Sequence, residues 1–245
     1  MATFVLVHPA WFGGWCWRKL TPLLRAQGHT VHTPTLTGLG ERAHLASRGV
    51  GLETHVSDVV NVLGFEDLHG VILVGNSSAG AVITAVADRA PERTHQVVYL
   101  DAFVPTDGQR LVDLIPLDRR PAMQELVEQE GDGWLLPRFA PAPWEKFVPE
   151  AWQVTDAADL EWILPRLRPT PFGHFTEPVK LRLSDAEQPR RVYIRCRHWP
   201  NPGFDRYAAA AQASPAWGYG ELATSHLPYI TNPDKLSDIL LETAG

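Results

Sequence analysis

Through roughly the first hundred residues, short apolar runs rich in β-branched side chains alternate with longer stretches of helical spacing, and that alternation admits few folds. Thr3–Val7 and 71–74 are apolar at nearly every position, as suits strands covered on both faces, while 30–36 reads as a weaker strand and 97–100 as a further one. Between them, 15–26 and 52–63 carry helical spacing, and the second sets Leu52, Val56, Val59, Val60 and Leu63 on one face. Gly28 and Gly64 stand where these helices should end. From 105 to 189 prolines cluster, tryptophans appear, and two helical stretches, 119–130 and 156–167, follow each other without a strand between. The strand and helix rhythm then returns at 191–196, 207–212 and 217–223 and closes with a helix at 233–241. The expectation is an α/β fold: one domain over 1–245, a mostly parallel central sheet with helices on both faces, and a helical cap inserted at about 105–189.

Composition narrows the function. A chain of 245 residues with 44% hydrophobic and 20% charged residues can bury a substantial core, and is neither disordered nor fibrous. A net charge of -6 gives no basic footprint, so neither nucleic acid nor an anionic membrane is expected as a partner. Cys16 and Cys196 are too few to staple the fold and form no C-x-x-C pair. The apolar run at the N-terminus stops at His8, too short for a signal peptide or a span, so a cytoplasmic location is expected. A homodimer is left open.

The segment that carries chemistry is Val71-Ile-Leu-Val-Gly-Asn-Ser-Ser-Ala-Gly80, a buried strand running through small residues into a helical pattern. Such a turn forces the serine, here Ser77, into an exposed, strained position at a helix N-terminus, where developing negative charge is favoured. The plainer reading is a strand-to-helix connection with a capping serine. A serine nucleophile needs a base, and His226, after the last strand pattern, is placed to supply it. Of the other histidines, His29, His32, His55, His69 and His95 read as surface or element-end residues. Two acids compete to orient His226. Asp101 closes the strand one helix and one strand beyond Ser77, whereas Asp205 follows the strand ending at Cys196; Asp101 is favoured and Asp205 kept as the alternative. The oxyanion hole is expected from the backbone N–H of Ser78 and of Ala10, in the loop after the first strand, since Pro9 has no N–H to give.

Taken in order, His8-Pro-Ala-Trp-Phe-Gly-Gly-Trp-Cys-Trp17, Gly75-Asn-Ser-Ser-Ala-Gly80, Leu100-Asp-Ala-Phe-Val-Pro105 and Ser225-His226 resemble the motifs of the α/β-hydrolase superfamily, more closely the branch of plant methyl esterases, hydroxynitrile lyases and small bacterial carboxylesterases. The resemblance covers nearly the whole chain except the cap. It implies Ser77 as nucleophile, His226 as base, and Ala10 and Ser78 as oxyanion donors. Pro9 and Ala79 replace glycines of that pattern, and Asn76 replaces a histidine. The plant members carry their acid near the position of Trp199, whereas other α/β-hydrolase branches use the position of Asp101.

Gly38-Leu-Gly-Glu-Arg-Ala43 matches a dinucleotide fingerprint, with Asp58 about twenty residues on. Gly49 interrupts the helix such a motif must open, and Asp58 falls within a helical pattern rather than at a strand end, so a loop at the pocket edge is expected instead. No metal spacing and no cofactor are indicated. Trp11 and Phe103 lie beside the proposed catalytic segments and are expected to line the pocket, with Trp134 and Trp162 added by the cap. The function expected is a cofactor-independent serine hydrolase cleaving a carboxylic ester, or a lactone, of a small hydrophobic or aromatic substrate. Lyase chemistry at the same residues and a non-catalytic ligand-binding pocket are the alternatives.

Overall fold

The computed structural model describes residues 1–244. In chain order the strands and helices are β1 (Thr3–Val7), α1 (Thr21–Ala26), β2 (Thr30–His32), α2 (Leu52–Phe65), β3 (Val71–Ser77), α3 (Ala79–Arg89) and β4 (Thr94–Ala102), then α4 (Leu111–Leu114), α5 (Arg120–Glu130), β5 (Leu135–Leu136), α6 (Trp144–Ala151), α7 (Ala157–Ile163), β6 (Thr170–Pro171) and α8 (Gly173–Thr176), and finally β7 (Arg190–Cys196), α9 (Pro202–Ala213), β8 (Trp217–Leu222), α10 (Pro228–Thr231) and α11 (Pro233–Thr243). Six strands form one parallel sheet in the order β2-β1-β3-β4-β7-β8. Both its faces are covered, which is why β1 and β3 are buried almost throughout.

The chain leaves β1 toward β2 and then returns to build β3, β4, β7 and β8 on the other side. The strand order therefore reverses between β1 and β3, and a crevice opens beyond their C-terminal ends, the usual ligand position in open α/β sheets. β4 and β7 are neighbours in the sheet, and everything between them, the span read from the sequence as the cap, leaves the sheet and returns. That excursion is short helices and a two-stranded ribbon of β5 and β6. Asp88 on α3, buried, pins its return by accepting hydrogen bonds from the backbone N–H groups of Arg182 (2.9 Å) and Leu183 (2.8 Å).

Several local expectations change. The strand read at 30–36 pairs only over Thr30–His32, because Thr33 to Thr35 turn away to hold the loop at Gly14, whose N–H donates to Thr35 Oγ1. The helix read at 15–26 is a 3-10 turn over Gly14–Lys19 followed by α1, with Pro22 in the first turn of the latter. Gly64 does not end its helix: α2 runs on to Phe65 and Glu66 caps it. Gly38 to Ala43 forms no helix of the dinucleotide type; Gly40–Leu45 is a 3-10 turn, and Asp58 holds the loop by accepting from Thr37 N (2.6 Å) and Thr37 Oγ1 (2.8 Å). His55 is fully buried rather than on the surface. Among the described residues no helix is long and apolar enough to cross a membrane.

Candidate active site

Three residues that are not glycine adopt left-handed backbone at the crevice: Ser77 (φ 56°), Asp101 (φ 46°) and Trp11 (φ 69°). Each costs on the order of 1 kcal/mol or more, and such strain persists where the surroundings over-determine it. For Ser77 the cause is plain. An added Cβ at Gly75 would sit 2.8 Å from Ile83 Cδ1, and one at Gly80 would sit 1.9 Å from the Phe103 carbonyl oxygen, so α3 packs against its own strand and against the chain after β4 at glycine contact. Ala79 occupies a fully buried position that tolerates its methyl, and Gly80 makes the close approach.

Strand register then brings the acid in. Asn76 pairs with Leu100, the register slips, and Ser77 pairs with Ala102, leaving Asp101 as the bulged residue between them. Fully buried, Asp101 meets the His226 Nδ1–H with Oδ2 at 2.6 Å. That contact puts the proton on Nδ1 and leaves Nε2 as the acceptor. The backbone around His226 is tied down as well. Its N–H donates to the Trp152 carbonyl (3.2 Å), and its own carbonyl accepts from Asn76 Nδ2 (3.2 Å), which also donates to the Leu100 carbonyl (2.9 Å). The Tyr229 hydroxyl completes the group by donating to Asn76 Oδ1 (3.1 Å). Asn76 therefore couples the end of β3 to the loop that carries His226. Burial lowers the His226 pKa from its ordinary value, opposed by the hydrogen bond to Asp101, so the imidazole is neutral at neutral pH. Ser77 Oγ makes no hydrogen bond to His226.

Asp205 is the acid that the structure does not bring to His226. It lies in the first turn of α9, half-exposed, and accepts from Arg195 Nε at 2.9 Å, on the far side of that guanidinium from Asp101. Ala10 and Ser78 are together, though not as two free donors: the Ala10 N–H donates to Ser78 Oγ at 2.8 Å. The loop is held from behind by fully buried His8, whose Nδ1–H donates to the Pro9 carbonyl (2.8 Å) and whose Nε2 accepts from Leu36 N–H (3.0 Å). Burial pushes the His8 pKa down to about 4, which keeps this two-way contact neutral.

Above Ser77 and Ser78 lies a cavity of about 530 Å³. Trp11 and Phe103 line it, joined by Phe139, Phe147, Trp152 and Phe175 from the excursion and by Trp199 and Phe204 from the chain after β7. Trp134 and Trp162 are elsewhere. The Trp134 ring lies under the Arg48 guanidinium at 6.0 Å, and Trp162 packs edge-on against Trp15 at 5.4 Å with Lys19 above it. Segments of two turns or fewer show no periodicity from which to tell an inward from an outward tryptophan. Arg195, buried in β7, was missed by the sequence reading; its signal was a charged residue inside an otherwise apolar strand end, Val192-Tyr-Ile-Arg-Cys196. Among the described residues no group of three or more His, Cys, Asp or Glu side chains is arranged to hold a metal ion.

The alpha/beta hydrolase family model matches residues 4–239. The chain belongs to that family. Within it, the chain is 37% identical over 244 residues to a carbendazim hydrolyzing esterase of Nocardioides sp. (strain SG-4G), covering 98% of both chains. It is 26% identical to methylesterase 1 of Arabidopsis thaliana, over 98% of this chain and 95% of the relative. An extracellular alpha/beta-hydrolase from a Paenibacillus species superposes with a TM-score of 0.81 at 23% identity, covering 99% of this chain and 98% of its own, a likeness of fold. This member of the alpha/beta hydrolase family thus falls among the esterase-like proteins that its motifs resemble.

Proposed function

We propose that the protein is a cofactor-independent serine hydrolase that cleaves a carboxylic ester, open-chain or lactone, of a small hydrophobic or aromatic substrate. The observation that carries this reading is the buried 2.6 Å contact between His226 and Asp101 beside the strained Ser77, at the floor of an aromatic cavity. The likeness to a carbendazim hydrolyzing esterase and to a methylesterase supports the same class of reaction.

In this reading the cavity takes the apolar part of the substrate and sheds water around the scissile carbonyl. Ser77 Oγ attacks the carbonyl carbon as His226 Nε2 takes the hydroxyl proton, and Asp101 stabilises the imidazolium. The carbonyl oxygen gains charge against the Ser78 N–H and against the Ala10 N–H, which exchanges its bond to Ser78 Oγ for the incoming oxyanion. Each such donor is worth about 3 kcal/mol of barrier. His226 then returns the proton to the leaving alkoxide, the C–O bond breaks, and an acyl-Ser77 remains. Water, deprotonated by His226, adds to the acyl carbon, and the acid departs as Ser77 Oγ recovers its proton.

The test is turnover on a panel of methyl and p-nitrophenyl esters of aromatic acids, with carbendazim included. Ser77→Ala and His226→Ala are expected to lose at least about a thousandfold in kcat while keeping the wild-type circular dichroism. Activity near wild type in either variant would overturn the assignment. Because burial depresses the His226 pKa, the acid limb of kcat/KM should lie below the ordinary histidine value of 6.5.

A further inference from the structure

The sheet brings a cation to the triad acid. Leu100 on β4 pairs with Ile194 on β7, so the next residues along, Asp101 and Arg195, lie side by side at the C-terminal ends of their strands. The Arg195 side chain is 2% exposed, and a guanidinium buried to that degree is tolerated only with its donors satisfied. Nη1 donates to Asp101 Oδ1 (2.7 Å) and to the Cys196 carbonyl (2.5 Å), Nη2 to the Trp199 carbonyl (2.8 Å) and Nε to Asp205 Oδ1 (2.9 Å). Two of these partners also touch the His226 imidazole. Asp101 binds its Nδ1 through the other carboxylate oxygen, and the Trp199 ring packs on the imidazole at 3.8 Å between centroids.

We propose that Arg195 is the positioning residue of the site: its planar fork locks the orientation of Asp101 and the seat of Trp199, and with Asp205 behind it sets the charge that His226 experiences. This rests on the serine-hydrolase reading above. The geometry explains why an arginine is needed, since an ammonium is a single point charge and cannot hold a carboxylate, a carbonyl and a second carboxylate in one plane. It also gives Asp205 a role. Before reaction, Asp101, Arg195 and Asp205 sum to one negative charge; when His226 takes the serine proton the four groups become neutral together. Of the remaining ionisable groups, Cys196 and Tyr193 on β7 and Tyr229 on α10 are all pushed up by burial and stay neutral, while exposed Arg197 pairs with Glu221 and lies 3.8 Å from Asp205, a cation common to every variant compared.

The experiment compares wild type with Arg195→Met, Arg195→Lys and Asp205→Asn, each checked for fold by circular dichroism, on p-nitrophenyl butyrate across about pH 4.5–8.5, two units on each side of histidine's ordinary value. Fluorophosphonate labelling of wild type comes first: absence of an adduct on Ser77 removes the serine-hydrolase reading and this proposal with it, whereas labelling leaves the variants to test Arg195 alone. Loss of the cation is expected to raise the acid limb of kcat/KM by about half a unit or more, and loss of the Asp205 anion to lower it. In Arg195→Met, kcat should fall at least about tenfold with KM nearly unchanged. Arg195→Lys should restore the position of the limb but not the full kcat, because it returns the charge without the fork. Should Arg195→Met fail to fold, the opposite demands on Arg195→Lys and Asp205→Asn still decide. An acid limb unmoved in folded Asp205→Asn, or full wild-type kcat in Arg195→Lys, would overturn the proposal.

Discussion

Asp101 and Asp205 offer the same carboxylate to the same guanidinium, and position alone separates their roles. Asp101 has no exposed side-chain surface and its second oxygen meets His226, whereas the Asp205 side chain is 49% exposed and its other contact is Arg197. Asp101→Asn keeps the shape of the site but lets the imidazole adopt the wrong tautomer, so kcat should fall by about four orders of magnitude, while Asp205→Asn loses less than about tenfold. Comparable losses in both variants, measured on one ester at equal stability, would contradict this division. The sequence favoured Asp101 but kept Asp205 as an alternative, because the one closes a strand and the other follows one; the slip in pairing between Asn76 and Ser77 that aims Asp101 inward is a property of two strands together and has no single-strand signature. The places of Ser77, at the end of β3, and of His226, in the loop after β8, were legible because both strands could be read from the sequence. The hydroxyl of Ser78 on the Ala10 N–H was not, since a side-chain rotamer leaves no trace in spacing.

At the level of elements, the junction of β3 and α3 illustrates how a local rule is overruled. Exchanging glycine for alanine in a helix ordinarily stabilises by about 1 kcal/mol. At Gly80 the added methyl would stand 1.9 Å from the Phe103 carbonyl oxygen, so either α3 or the chain after β4 must move. Gly80→Ala is therefore expected to destabilise by about 2–3 kcal/mol, read as a lower urea midpoint, and to slow turnover because the same shift displaces Ser77. An unchanged or raised midpoint would show that the junction has slack. The long elements, α2, α3, β3 and β4, were legible from periodicity and apolar runs. In the excursion between β4 and β7 the helix read at 119–130 is α5 and the one read at 156–167 contains α7, but Trp134 lies in the link before β5, Trp162 on the seven-residue α7 and Trp152 at the end of the eight-residue α6, segments too short to reveal a face, so Trp134 and Trp162 could not be told from Trp152, whose carbonyl holds the His226 loop.

For the molecule as a whole, the sheet and its covering layers bury a group of histidines near the C-terminal end of β1. The His55 Nε2–H donates to the Thr37 carbonyl (2.9 Å), which obliges His55 Nδ1 to accept from the His174 Nδ1–H (2.9 Å), and His8 is neutral in its own contacts nearby. Burial pushes His8 and His55 down to about 4 and His174 well below its ordinary value. A histidine depressed on folding binds its proton more readily when unfolded, so its contribution is complete above about pH 6.5 and is lost as the pH falls from there toward 4. Each is worth up to about 3 kcal/mol. Urea unfolding should therefore show stability dropping by at least about 2 kcal/mol between pH 7 and pH 5, before most carboxylates titrate. Stability that stays level or rises over that interval would contradict the neutral, single-tautomer arrangement. The sequence reading placed the parallel sheet correctly, but set His55 on the surface, because position in an amphipathic helix does not disclose what covers its polar side.

The account turns on Ser77 being an activated nucleophile. Intact-mass analysis with peptide mapping after treatment with a fluorophosphonate reads this directly, since the phosphorus is attacked by an activated serine and the resulting oxyanion is held as an ester's would be. One adduct per chain is expected, on the peptide containing Ser77, absent in Ser77→Ala and formed far more slowly in His226→Ala. No adduct on the folded protein, or an adduct that survives Ser77→Ala, would contradict the account.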